Sequence, residues 1–162
     1  MIFLHIIHVL FVVLWIGGLA FVTILIFPLI YKIEKPLEKV LFFQRIEHRF
    51  AKLARVFSLV VIISGFVTLF HSGLYVNLFT SSPKGIFITF MMIIGIFWIV
   101  ILFGVEKLVI KKLLEKMSQS PDTMNIDSIF KRMNVMHWVL LIMSLLVVVA
   151  GVLSVNYDKL YK

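Results

Sequence analysis

The chain has 162 residues, of which 62% are apolar or aromatic and 15% charged; cysteine is absent, and the mean hydropathy is +1.10. A soluble domain carries roughly 25% charged and 45–50% apolar residues, so a soluble enzyme, a disordered chain and a disulfide scaffold are excluded. Sixteen Lys and Arg against eight Asp and Glu leave a net charge of +8. That charge lies in blocks between long apolar runs, where it meets anionic lipid headgroups and not nucleic acid.

The first element is an uncharged run over residues 2–30. It lacks a basic leading segment and a short apolar region followed by small residues, so it reads as a retained membrane span. Residues 56–79, 85–105 and 133–157 are likewise free of charge. A hydrocarbon core about 30 Å thick needs roughly 20 helical residues, so each run spans once. Between the first two runs, residues 31–55 hold seven Lys/Arg, and Leu37 to Arg55 has a helical pattern expected to lie along the inner interface. Thr80-Ser81-Ser82-Pro83 reads as a short outer turn. Residues 106–132 hold six Lys/Arg, with Ser118-Gln119-Ser120-Pro121-Asp122 as a loop, whereas residues 72–84 hold only Lys84. The positive-inside bias places the first and third connections in the cytoplasm. The expected fold is all-α: a single-domain four-helix bundle of the cell (inner) membrane with both termini outside.

Polar residues inside a span face the bundle interior and mark function. The span interiors contain no Asp or Glu, which removes an acidic relay and a carboxylate di-metal site. Histidines are the distinctive groups. His8 lies about 9 Å below the start of its run and His71 about 12 Å from the outer end of its own, so antiparallel spans bring them to similar depth. Two imidazoles facing each other across an apolar core can ligate a haem iron from opposite sides.

The neighbouring pattern agrees. His8, Trp15 and Val22 repeat at heptad spacing, and Gly17 and Gly18 permit close approach of a helix or a flat cofactor. Ser64, Thr68, His71 and Tyr75 form a stripe expected to point inward, with hydroxyls able to bond a propionate. His5 shares the face of His8 as a propionate partner, an alternative ligand or part of a second outer site. On the inner side, His137 heads a stripe with Ser144 and Gly151, one turn from Asn134, and serves as a second-haem ligand or as an interhelical hydrogen bonder. His48, among Arg45, Glu47 and Arg49, reads as solvated, as do Glu106 and Asp127. Met91, Met92, Met133, Met136 and Met143 read as packing residues, with a soft copper-ligand role as the rival.

The segment His8-x6-Trp15-x-Gly17-Gly18-Leu19 resembles the first span of two related groups, the copper-resistance protein D (CopD) family and the HemJ-type protoporphyrinogen oxidase family. Glu47-His48-Arg49-Phe50, Lys84 and Phe130-Lys131-Arg132-Met133-Asn134 are similar to HemJ-type segments before the second, third and last spans. The resemblance covers most of the chain and implies a haem b site using His8. Where the HemJ group has a Pro-Arg pair, this chain has Thr23-Ile24, with Phe27-Pro28 later, which is nearer the CopD branch and weighs against a porphyrinogen substrate.

Three readings therefore stand at the level of sequence. The first is a bis-histidine haem b electron carrier, quinol-linked or similar. The second is a HemJ-like oxidase of protoporphyrinogen, and the third is CopD-like copper transport. Membrane lipid is the certain partner. One or two haems per chain, a quinone or porphyrin partner, a homodimer and oxidoreductase activity are left open.

Overall fold

A computed structural model of the protein describes residues 2–105, 112 and 125–160. Among the described residues every regular element is helical, and four helices are long and apolar enough to cross a membrane: Ile2–Tyr31, Pro36–His71, Pro83–Gly104 and Ile126–Tyr157. We divide them into α1 (Ile2–Phe21), α2 (Phe27–Tyr31), α3 (Pro36–His71), α4 (Pro83–Val100) and α5 (Ile126–Leu160). The protein is an all-α four-helix membrane bundle.

The helix limits follow from local chemistry. Between α1 and α2, residues Val22–Ile26 form a wide π turn in which the Phe27 N–H donates to the Val22 carbonyl. Pro28, next in line, has no N–H and its ring crowds the carbonyl four residues back, so a widened turn relieves the clash without ending the span. Pro36 and Pro83 open α3 and α4 at positions where a missing N–H is harmless. Ser82 Oγ accepts from the Gly85 N–H at 3.1 Å, and Asn125 Oδ1 accepts from the Ser128 N–H at 2.9 Å, as N-caps do. Gly73, at φ +71°, takes the left-handed conformation that terminates α3.

That termination corrects two expectations. The second span does not follow a separate interfacial helix, because α3 runs unbroken from Pro36 to His71. Nor does it continue to residue 79, because the chain turns at Ser72-Gly73 and runs through a short 3-10 segment, Leu74–Asn77. The turn at residues 80–83 closes on itself, with Thr80 Oγ1 donating to the Asn77 carbonyl at 2.8 Å. The expected loop at residues 118–122 lies outside the described residues.

α1 packs chiefly on α3 and α4 chiefly on α5, so the bundle is two helical pairs laid side by side. Its tightest packing lies toward the end that carries the connection between α2 and α3, where Phe27, Ile30 and Phe130 are fully buried beside Val40, Phe43 and Met133. A second cluster at mid-depth joins Leu19, Ala54, Trp98, Leu102 and Leu140. Gly18 makes the α1–α3 crossing possible, since a Cβ there would stand 2.6 Å from Cε2 of Phe50.

Asp127 is not an isolated wet carboxylate. It accepts a hydrogen bond and ion pair from Nζ of Lys39, whose side chain is only 7% exposed while that of Asp127 is 75% exposed. The pair joins the start of α3 to the start of α5. The Tyr31 hydroxyl, donating to the Phe130 carbonyl at 3.3 Å, ties α2 to the same place. Spacing could not show this, because residues 39 and 127 are distant in sequence. Glu106 lies outside the described residues.

Candidate functional site between the helical pairs

Above the mid-depth cluster the two helical pairs part and enclose a cleft of about 220 Å³. His8, Val12 and Trp15 from α1 and Val61, Ile62 and Gly65 from α3 form one wall. Ile88, Met91, Met92 and Trp98 from α4, with Ser144 and Val147 from α5, form the other. Phe66 and Ile96 also line it and are 38% and 47% exposed, so the cleft opens sideways toward the lipid.

His8 is the polar centre of this cleft, and α3 fixes its ring. Nδ1 lies 3.0 Å from the Val61 carbonyl and 3.0 Å from Ser64 Oγ. A carbonyl can only accept, so Nδ1 carries the proton and donates it. The Ser64 hydroxyl spends its own proton on the Val60 carbonyl, 2.5 Å away, and so is an acceptor toward His8. In the neutral ring the remaining lone pair is therefore on Nε2. The two hydrogen bonds tie α1 to α3, and a carbonyl and a hydroxyl of this kind also orient the second nitrogen of metal-binding histidines. Gly65 completes the fit: a Cβ there would meet Cε1 of His8 at 3.1 Å, tighter than ordinary contact.

A smaller cavity of about 90 Å³ lies below, lined by Glu47, Phe50, Ala54, Met133, Met136 and His137 among others. Trp15 and Trp98 line both spaces and meet edge to face with centroids 4.8 Å apart, forming the partition between them. His137 donates from Nδ1 to the Met133 carbonyl at 2.8 Å and packs against the Phe27 ring at 4.9 Å. In the sequence Glu47 is part of a charged segment with Arg45 and Arg49. Because α3 is one continuous helix, its carboxylate side faces the bundle and borders the inner cavity.

The expected residues thus separate into groups. His8 and Trp15 line the outer cleft, and Ser64 holds His8 from behind. Thr68 donates back to the Ser64 carbonyl at 2.8 Å, and Gly18 serves the crossing with Phe50. His137 belongs to the inner cavity, and His5 and His48 are exposed. His71 is not brought to His8. It is the exposed last residue of α3, seven residues and about 10 Å beyond Ser64, because the second span ends sooner than the apolar run suggests. The expected inward stripe holds for Ser64, half-holds for Thr68 and fails at His71 and Tyr75, which are exposed. Gly65 and the Met91–Met92 pair are the members that sequence reading did not assign to the site. Gly65 follows directly on Ser64, and only the register of α1 against α3 shows its contact with His8.

Among the described residues no cluster of three or more His, Asp or Glu is placed to hold a metal ion. A metal at this site would need a macrocycle to supply most of its ligands, or the thioethers of α4. No protein-family model matches the chain, and no curated protein or solved structure is significantly similar to it.

Proposed function

We propose that this chain is a haem b protein of the cell (inner) membrane that carries single electrons near the outer face, with a membrane quinol as the class of donor. The observation that carries this reading is the His8 ring, whose Nδ1–H is committed to Val61 and Ser64 so that Nε2 is left as a ligand at an apolar cleft. Haem, when bound, supplies one-electron chemistry. His8 would hold the group through Nε2, the apolar side chains of the cleft would exclude water, and a lipid-dissolved donor would approach sideways past Phe66 and Ile96. The segment His8 to Leu19, with its resemblance to CopD and HemJ-type first spans, supports the same assignment. His71 has no part in it.

A second reading has one observation in its favour. His8, Met91 and Met92 border one cleft, and an imidazole with two thioethers is a donor set suited to Cu(I). A single experiment separates the two. The full chain is purified from haem- and copper-replete cells, and both haem, as its pyridine haemochrome, and copper are counted per chain. The haem reading expects a red protein and at least a roughly tenfold loss of haem in His8→Ala. A colourless protein, or unchanged haem in that variant, refutes it, and copper in stoichiometric amount without porphyrin establishes the alternative.

A further inference from the structure

We propose that the exposed face of α3 is a binding site for an anionic phospholipid, with the phosphate held by Arg45, His48 and Arg49 and an acyl chain laid along Val56, Leu59 and Ile63. The site lies away from the cleft and is independent of the haem reading. Arg45, Arg49, Lys52, Val56, Leu59 and Ile63 are all exposed. At 3.6 residues per turn they fall within about 40° of one line along the helix. Three cations are thus followed, on a single stripe, by three aliphatic side chains.

The cationic end of the stripe calls for an anion. Arg45, His48 and Arg49, with Leu41 and Gln44, line an open groove of about 400 Å³. Among the described residues no carboxylate pairs with Arg45, Arg49 or Lys52. Glu47, between the two arginines in sequence, is about 200° around the helix from Arg45 and borders the inner cavity instead. That far side of α3 is the packed one, where Ala51, Ala54 and Ser58 are buried. Two guanidinium groups one helical turn apart suit a phosphate, which each can grip with paired N–H donors, and His48 adds a further N–H. A zwitterionic lipid brings its own cation to a place that already holds three, so the stripe selects an anionic headgroup.

The length of the stripe points to a lipid and not to a free phosphate. Val56 begins the uncharged run, so the change from cations to aliphatic side chains falls where headgroups give way to hydrocarbon. Arg49 and Ile63 are fourteen residues, or about 21 Å, apart along the helix. One leaflet with its headgroups is about 20–22 Å thick, half of the 40–45 Å of a whole bilayer. A phosphate at Arg49 therefore brings its chains past Val56 and ends them near Ile63. Lys52 lies between, where its stem can cover hydrocarbon while the ammonium reaches back to the phosphate. Because α3 is unbroken from Pro36 to His71, cations and aliphatic side chains keep this register.

The test uses the purified full chain, stripped of lipid in a neutral detergent, with phosphatidylglycerol and phosphatidylcholine of identical oleoyl chains as probes. Native mass spectrometry counts the lipid retained per chain. One phosphatidylglycerol is expected per chain, held at least about tenfold more tightly than phosphatidylcholine. Arg45→Gln/Arg49→Gln changes only exposed side chains and should weaken that binding about thirtyfold, roughly fivefold for each charge removed. Lys131→Gln/Arg132→Gln removes the same charge from exposed positions of α5 outside the groove. Screening of such charges should keep its affinity within about twofold of wild type. Equal losses in the two variants would reveal a diffuse field in place of a site and overturn the inference, as would equal affinity for the two lipids. Displacement of the lipid by millimolar inorganic phosphate would assign the groove to a free anion and overturn it as well.

Discussion

Gly17 and Gly18 are adjacent in α1, and alanine at each is expected to act in opposite directions. Alanine is better than glycine in a helix interior by about 0.8–1.0 kcal/mol, and this gain applies equally to both positions. At Gly17 nothing lies within 4 Å of the new methyl, so the gain stands alone. At Gly18 the methyl would stand 2.6 Å from Cε2 of Phe50. Carbon atoms prefer about 3.5–4.0 Å, so the ring or the whole of α3 must retreat by about 1 Å. Phe50 packs against both apolar clusters, and the retreat loosens each. Overpacking of this kind costs about 1–3 kcal/mol. Gly17→Ala should therefore be more stable than wild type, and Gly18→Ala less stable than Gly17→Ala by the overpacking cost alone. Unfolding in mixed micelles measures the difference, and Phe50→Leu combined with Gly18→Ala should recover most of it in a double-mutant cycle. Equal stability of the two alanine variants would show that the α1–α3 crossing at residue 18 is not as close as described.

Three other outcomes are expected. Ser64→Ala removes one of the two acceptors holding His8 Nδ1 and should weaken haem retention about tenfold, whereas His71→Ala should leave it unchanged; haem titration of the apoprotein checks both. Asp127→Asn leaves the buried Lys39 ammonium without its counter-charge and should lower stability by about 1–3 kcal/mol, less than for a fully buried pair because Asp127 is mostly exposed. Adding Lys39→Met to that variant should restore much of the loss, which a thermal unfolding comparison would show. The chain has no cysteine, so Ser81→Cys and Lys35→Cys can be introduced without removing others. An impermeant thiol reagent added to intact cells should label the first and not the second, and the reverse pattern would invert the orientation.

The bundle was legible because its signals are strong and local. Four uncharged runs separated by charged connections specify four spans without reference to tertiary contacts. His8 and Trp15 line the cleft, and Val22 is buried at the next heptad position, because α1 is regular up to Phe21 and the π turn begins only at Val22. The error at His71 has a definite cause. Residues 72–79 are as free of charge as residues 56–71, so counting charges extends the span past the glycine that ends it. Measuring depth back from residue 79 then raised His71 to the apparent level of His8, when the residues at that level are Val61, Ser64 and Gly65. The pairing of Lys39 with Asp127 and the approach of Glu47 to the inner cavity were hidden for a different reason. Both depend on which helices are neighbours, and an apolar pattern alone does not choose among the packings of four similar spans.

Thirty-six residues make α3 about 54 Å long, well beyond a hydrocarbon layer of about 30 Å. The same helix carries Lys39, paired with Asp127, and the Val61 and Ser64 acceptors of His8. Twenty-two residues of continuous helix from Lys39 to Val61 fix these two tethers about 33 Å apart along one axis.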